Sequence, residues 1–342
     1  MKKVSIILTT CLLLCITSNA QNSVEASEYM AKVTEKAFEL DDETWKYLKA
    51  VTRNKKARKV EDKRKELVSA IKTAKLSIAR KKDFYGNTQL RDAIVNYLEL
   101  RYNVLKGDYD KILDMEEIAE QSYDNMEAYL LAQEKASEKL DSAFQIMSKA
   151  QKDFAEKYEI ELTDSRDRIQ ERIRSASETL EYYNDVYLVF FKSYKQEAYV
   201  LDAIEREDVS SIEQNNSVLL TFAEEGMDDL QDIKSFKGDV SLVASARKAL
   251  IFYRAESKKE FKTLSDYFLK KDEFDKINKR MQAMSKKERT QAEIDKYNKA
   301  VSEFNAVNDD FNKAMQSSYE DRTRVLEDWN KKAESFINNH SR

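Results

Sequence analysis

The chain has 342 residues, of which 63 are acidic and 59 are Lys or Arg, for a net charge of −4; it contains no proline and only four glycines. Average usage would supply roughly 5% proline and 7% glycine, and sheet-rich or α/β folds depend on both to turn the chain and bend it around ligands. The composition therefore predicts an all-α fold of long helices and excludes most enzyme scaffolds, while the acidic balance argues against nucleic acid as a partner.

The first residues read as a secretory signal spanning 1–20. Lys2 and Lys3 form a positive start, Val4 to Ile16 is an apolar run, and Ser18 and Ala20 place small residues before Gln21, the pattern of a cleaved leader. An apolar run of this length falls short of the ~20 residues of a spanning helix. The chain is thus expected to be exported, periplasmic or on the outer surface. Cys11 and Cys15 both lie in the leader. A lipid anchor at Cys15 is the weaker alternative, because its flanks depart from a lipobox. Beyond the leader no thiol remains for a disulfide, a thiolate metal site or a nucleophile.

After residue 20 the chain reads as helices separated by short breaks at Gly86-Asn87-Thr88, Gly107-Asp108, Glu161 to Asp164, Asp208 to Ser211, Gly238-Asp239 and Ser285 to Thr290. Ser210 with Glu213, Ser285 with Glu288 and Thr290 with Glu293 have capping-box spacing. Two helices are expected to be especially long, about 109–157 and about 291–338. Val301, Phe304, Phe311 and Met315 sit near heptad spacing, as in a coiled coil.

A shift of 152 residues brings similar segments into register. Phe84-x-Gly86-Asn87 falls on Phe236-x-Gly238-Asp239, Tyr47 on Tyr199, Leu67 on Leu219, Leu90 on Leu242 and Leu98 on Leu250. Helical periodicity alone produces apolar coincidences, but the glycine turn is hard to match by chance in a chain this poor in glycine. The expected organisation is an elongated tandem of two related antiparallel helical bundles, 21–160 and 161–342, each resembling a four-helix bundle.

Chemistry is sparse. The one histidine, His340, has Ile337 three residues before it where a di-iron bundle has glutamate. There is no Walker loop, no Gly-x-Ser-x-Gly and no calcium loop. Asp41-Asp42-Glu43 and Asp309-Asp310 read as solvated helix faces. Neither a catalytic nor a metal or cofactor site is expected. Two features stand out as candidate contacts. Arg53, Lys55, Lys56, Arg58, Lys59, Lys63, Arg64 and Lys65 crowd one stretch, extended by Lys72 to Lys82; this suits an anionic surface or is simply a soluble helix corner. Tyr182 and Phe191 fall off the main aromatic stripe of their helix and are the candidates for a groove, with core packing as the alternative.

The segments Asp114-Met115-Glu116-Glu117-Ile118-Ala119-Glu120-Gln121-Ser122-Tyr123 and Phe191-Lys192-Ser193-Tyr194-Lys195-Gln196-Glu197-Ala198 resemble a family of secreted bacterial "surface proteins". The resemblance implies export and helicity; the family has no assigned activity, so no site is carried over. The functional expectation is a non-enzymatic structural, adaptor or surface-interaction protein with a protein partner or cell-envelope component. The alternative is a bundle that holds an apolar or anionic envelope ligand, a lipid or glycan.

Overall fold

The structure, a computed structural model, describes residues 13–16, 21–53, 57–108, 118–164 and 168–341. It is all-α apart from two short strands. In chain order the elements are β1 (Leu13–Ile16), α1 (Gln21–Thr52), α2 (Ala57–Ala79), α3 (Gln89–Asn103), a π-helical turn (Val104–Asp108), α4 (Tyr123–Lys157), β2 (Glu161–Asp164), α5 (Arg168–Glu205), α6 (Val209–Asp232), α7 (Ser241–Lys258), α8 (Glu260–Ala283) and α9 (Gln291–His340). β1 pairs antiparallel with β2, Cys15 opposite Leu162. No helix among the described residues is long and apolar enough to cross a membrane.

Several breaks fall where expected and others move. The second long helix runs to His340. The first starts only at Tyr123, where Ser122 accepts a hydrogen bond from the Asn125 amide at 3.2 Å. The expected cap at Ser210 is instead Asp208, whose carboxylate accepts from the Ser211 amide at 3.1 Å; an ionised acceptor is the stronger cap. A break at Lys259, between α7 and α8, has no glycine or proline to announce it.

The chain divides into two compact units, Met1–Asn184 with Glu334–Arg342, and Asp185–Ala333. The division falls inside α5, which runs unbroken from Arg168 to Glu205, and not at the break near residue 160.

In the first unit the buried side chains of α1 run Ala26, Met30, Val33, Ala37, Leu40, Thr44 and Tyr47. Those of α2 run Arg64, Leu67, Ile71, Ala74 and Ile78. Alternating steps of three and four residues make a heptad-like seam. The core closes with Leu90, Ile94, Tyr97 and Leu98 of α3 and with Phe144, Met147 and Phe154 of α4. In the second unit α5 contributes Val186, Phe190, Ser193, Glu197, Val200 and Ile204 with the same stepping. Ile212, Leu219, Ala223 and Leu230 of α6 and Leu242, Ala246, Ala249 and Tyr253 of α7 complete it. At Gly226 of α6 a Cβ would stand 3.0 Å from a Leu250 methyl and 3.1 Å from a Val189 methyl, so the lack of a side chain sets how closely its helix is approached.

Both units contain the same turn. Phe84 and Asn87 exchange backbone hydrogen bonds at 3.0 and 2.9 Å, and Phe236 and Asp239 do so at the same distances. Tyr85 and Gly86 have φ of 48° and 80°, and Lys237 and Gly238 have 52° and 87°. Asn87 then accepts from the Gln89 amide, and Asp239 from the Ser241 amide. One further contact recurs at this spacing: Arg64 donates to the Leu105 carbonyl, and Asn216 to the Ser257 carbonyl.

Candidate functional site

The second unit ends in a two-helix arm. α8 and α9 run antiparallel beyond Phe268, and none of the residues 269–317 is buried. Apolar residues on the facing sides are only half covered, as expected when two helices meet and no third closes the seam. The arm is held by an aromatic ladder. Tyr267 stacks on Phe311 at 4.1 Å, and Phe274 on Phe304 at 4.8 Å with 4° between ring planes. Farther out, Phe274 meets Tyr297 at 6.3 Å. Arg280 and Glu293 close the last turn at 2.7 Å. At the connection, Ser285 receives the Glu288 carboxylate on its amide at 2.8 Å, and Thr290 caps the Glu293 amide at 3.3 Å. Hydrogen bonding from the Ser285 side chain, then from its backbone amide, holds the Glu288 carboxyl below its ordinary value.

A polar cluster lies in the core of the same unit. Arg322 of α9 donates through Nε to Glu197 of α5, and through Nη2 to Glu256 of α7 at 2.7 Å and to Ser318 at 2.9 Å. Ser318 donates to Glu256. Glu197 and Glu256 are 2% and 1% exposed. Burial, then the neighbouring Glu197, pushes the Glu256 carboxyl up to about 9; burial also raises Glu197, against the pull of Arg322. Tyr253 is pushed well above the usual phenol value by burial and by the same two carboxyls. Perturbed carboxyls can mark catalytic acids, but these occupy seam positions and are almost wholly buried, so the arrangement suits a polar core layer that fixes helix register.

The basic stretch is not one patch. Arg53, Arg58, Lys59 and Lys65 are exposed, whereas Lys55 and Lys56 lie outside the described residues. Lys63 pairs with Glu66 and Lys65 with Glu61 at 3.2 Å. Arg64 is corrected: only 6% exposed, it holds Glu61 through two nitrogens and the Leu105 carbonyl through a third. It anchors the end of α3 and is no free surface contact. Beside it lies a shallow depression lined by Glu61, Lys65, Lys72, Tyr102 and Lys106. The Lys75 and Lys106 ammonium groups sit 5.5 and 5.3 Å from the Tyr102 ring centre. The hydrogen bond from Lys106 lowers the Tyr102 pKa.

The two aromatic candidates are also placed. Phe191 is 2% exposed and packs on Tyr187 at 5.4 Å and Tyr194 at 6.0 Å, so it lines no open groove. Tyr182 is half-buried against Phe336 at 5.4 Å. Trp329 stacks on Phe190 at 4.4 Å within the core. Asp41 is buried and accepts from Gln170 at 3.1 Å, while Asp309 and Asp310 are exposed on the arm. Among the described residues no group of three or more His, Cys, Asp or Glu is gathered to hold a metal.

Sequence reasoning missed the arm, its tip and the polar cluster. The cluster had a signal: Glu197 falls on the seam spacing Phe190, Ser193, Glu197, Val200. Comparison with family models, with curated proteins and with solved structures finds no match to this chain.

Proposed function

We propose that this is a non-enzymatic, exported helical protein that acts as a structural, adaptor or surface-interaction module, with the two-helix arm as its contact element. The observation that carries this reading is the run of residues 269–317 without one buried side chain. Its half-covered apolar seam is the kind of surface that a partner helix completes. The leader-like first twenty residues and the resemblance to secreted surface proteins support export. The recurring turn and the recurring seam spacing support an origin of the two units by duplication.

The test is to replace residues 272–306 by a short glycine-rich turn and to crosslink both forms in envelope fractions of the host. The arm reading expects a stoichiometric partner with the whole chain, its loss with the shortened chain, and unchanged melting of the remainder. The same partner at the same yield without the arm refutes it.

The depression beside Tyr102 favours a second reading, a bundle that holds an anionic glycan or lipid headgroup. Its test is a rise in melting temperature with such a ligand that Lys72→Gln abolishes.

A further inference from the structure

The outer end of the arm is a second cluster of cations, after the stretch from Arg53 to Lys65. Residues 276–290 carry six cations, Lys276, Lys279, Arg280, Lys286, Lys287 and Arg289, against one carboxylate, Glu288, in a protein whose net charge is −4. Lys276 pairs with Asp272 and Arg280 with Glu293. Lys279, Lys286, Lys287 and Arg289 are exposed and make no ion pair among the described residues. Glu288 is turned onto the backbone of Ser285. Met281 and Met284 stand half-buried among these cations.

We propose that this tip docks on an anionic lipid surface, which deepens the reading of the arm as a contact element and rests on it. The end of a two-helix hairpin is convex and has no walls to enclose a small ligand. A plane of negative charge is the complement of such a cap. Lys and Arg near an anionic bilayer each add about fivefold in partitioning, and the attraction fades within a Debye length of roughly 8 Å at physiological salt. The methionines decide between a bilayer and a soluble polyanion. Flexible thioethers beside the cations enter the headgroup boundary of a membrane, whereas a polyanion in solution offers them nothing. The depression beside Tyr102 is a poorer candidate, since its Lys65 is already paired with Glu61.

The experiment is flotation of the full chain with vesicles of phosphatidylcholine alone or with one third phosphatidylglycerol. The proposal expects binding to the anionic vesicles only, released by 0.5 M salt. The variant Lys279→Gln, Lys286→Gln, Lys287→Gln, Arg289→Gln should lose partitioning by on the order of several hundredfold. Met281→Ser with Met284→Ser should lose several-fold at unchanged salt dependence. All these positions lie on the arm, so helix content and melting should match the parent. Equal binding by the quadruple variant, or no binding by the parent, overturns the proposal. Heparin binding that the charge variant abolishes and the methionine variant leaves intact, without vesicle binding, reassigns the tip to a soluble polyanion and also overturns it. The arm reading fails separately: there, the crosslinked partner persists when residues 272–306 are gone.

Discussion

Glu256 and Glu197, from two different helices, face the same Arg322 guanidinium, and Oε2 of Glu256 finds no hydrogen-bond donor. Two carboxylates against one guanidinium would leave a net negative charge in the core. Retaining one proton removes it, and the undonated oxygen is where that proton has work to do. Because the folded-state pKa of Glu256 is raised, from 4.5 to about 9, the stabilising contribution is full below the unfolded value and is lost as pH rises through the folded one. Melting temperature should therefore decline between about pH 5 and pH 9. Glu256→Gln, which carries the proton's hydrogen bond permanently, should flatten that decline and melt higher than the parent at pH 9. A scan showing the same slope for both proteins would remove Glu256 as its source.

Removing the cation should do the opposite. Arg322→Met leaves two buried carboxyls without their cation and is expected to cost about 3–5 kcal/mol in chemical denaturation. Adding Glu197→Gln and Glu256→Gln to Arg322→Met should recover most of that loss, since a neutral layer of similar volume has no charge to bury. Strict additivity of the three changes would contradict a coupled layer.

The recurring turn offers a matched pair of tests. Gly86→Ala and Gly238→Ala place a Cβ in the left-handed region, and each is expected to destabilise by about 1–2 kcal/mol. No atom crowds either position, so the cost is conformational. Asn87→Asp and Asp239→Asn exchange side chains that already perform the same task in the two turns, and urea midpoints should move by less than about 0.5 kcal/mol equivalent.

The seam of the arm depends on its ladder. Phe274→Ala removes the partner of Phe304 and should cost the arm about 1–2 kcal/mol locally, from lost stacking and exposed area. Hydrogen exchange should quicken across residues 269–317 and stay unchanged in α6 and α7. A uniform change throughout the chain would show that the arm and the core of its unit open together.

The all-α class was legible because proline and glycine are nearly absent, and the breaks were legible wherever a glycine or a capping side chain marked them. Lys259 shows the limit: its break carries neither. Arg64 and Phe191 show another. Charge density along the chain does not reveal that a guanidinium turns inward to a carbonyl 41 residues away, and an off-stripe aromatic is buried once neighbouring helices cover a second face. Arg322 and Glu197 lie 125 residues apart, so their meeting had no local trace, although Glu197 stood on a seam position. The tip cations were visible as a cluster at a break. They were less dense than the stretch from Arg53 to Lys65, in which Lys63, Arg64 and Lys65 pair with carboxylates.

The arm is also a ruler. Because no residue between Leu269 and Ser317 belongs to a buried core, its length is not tied to the packing of the unit from which it grows. Adding seven residues to each helix would preserve the seam and carry the tip about 10 Å farther, and removing seven from each would draw it in by the same step. Reach can thus vary in heptad increments, by evolution or by engineering, while the cores remain as they are.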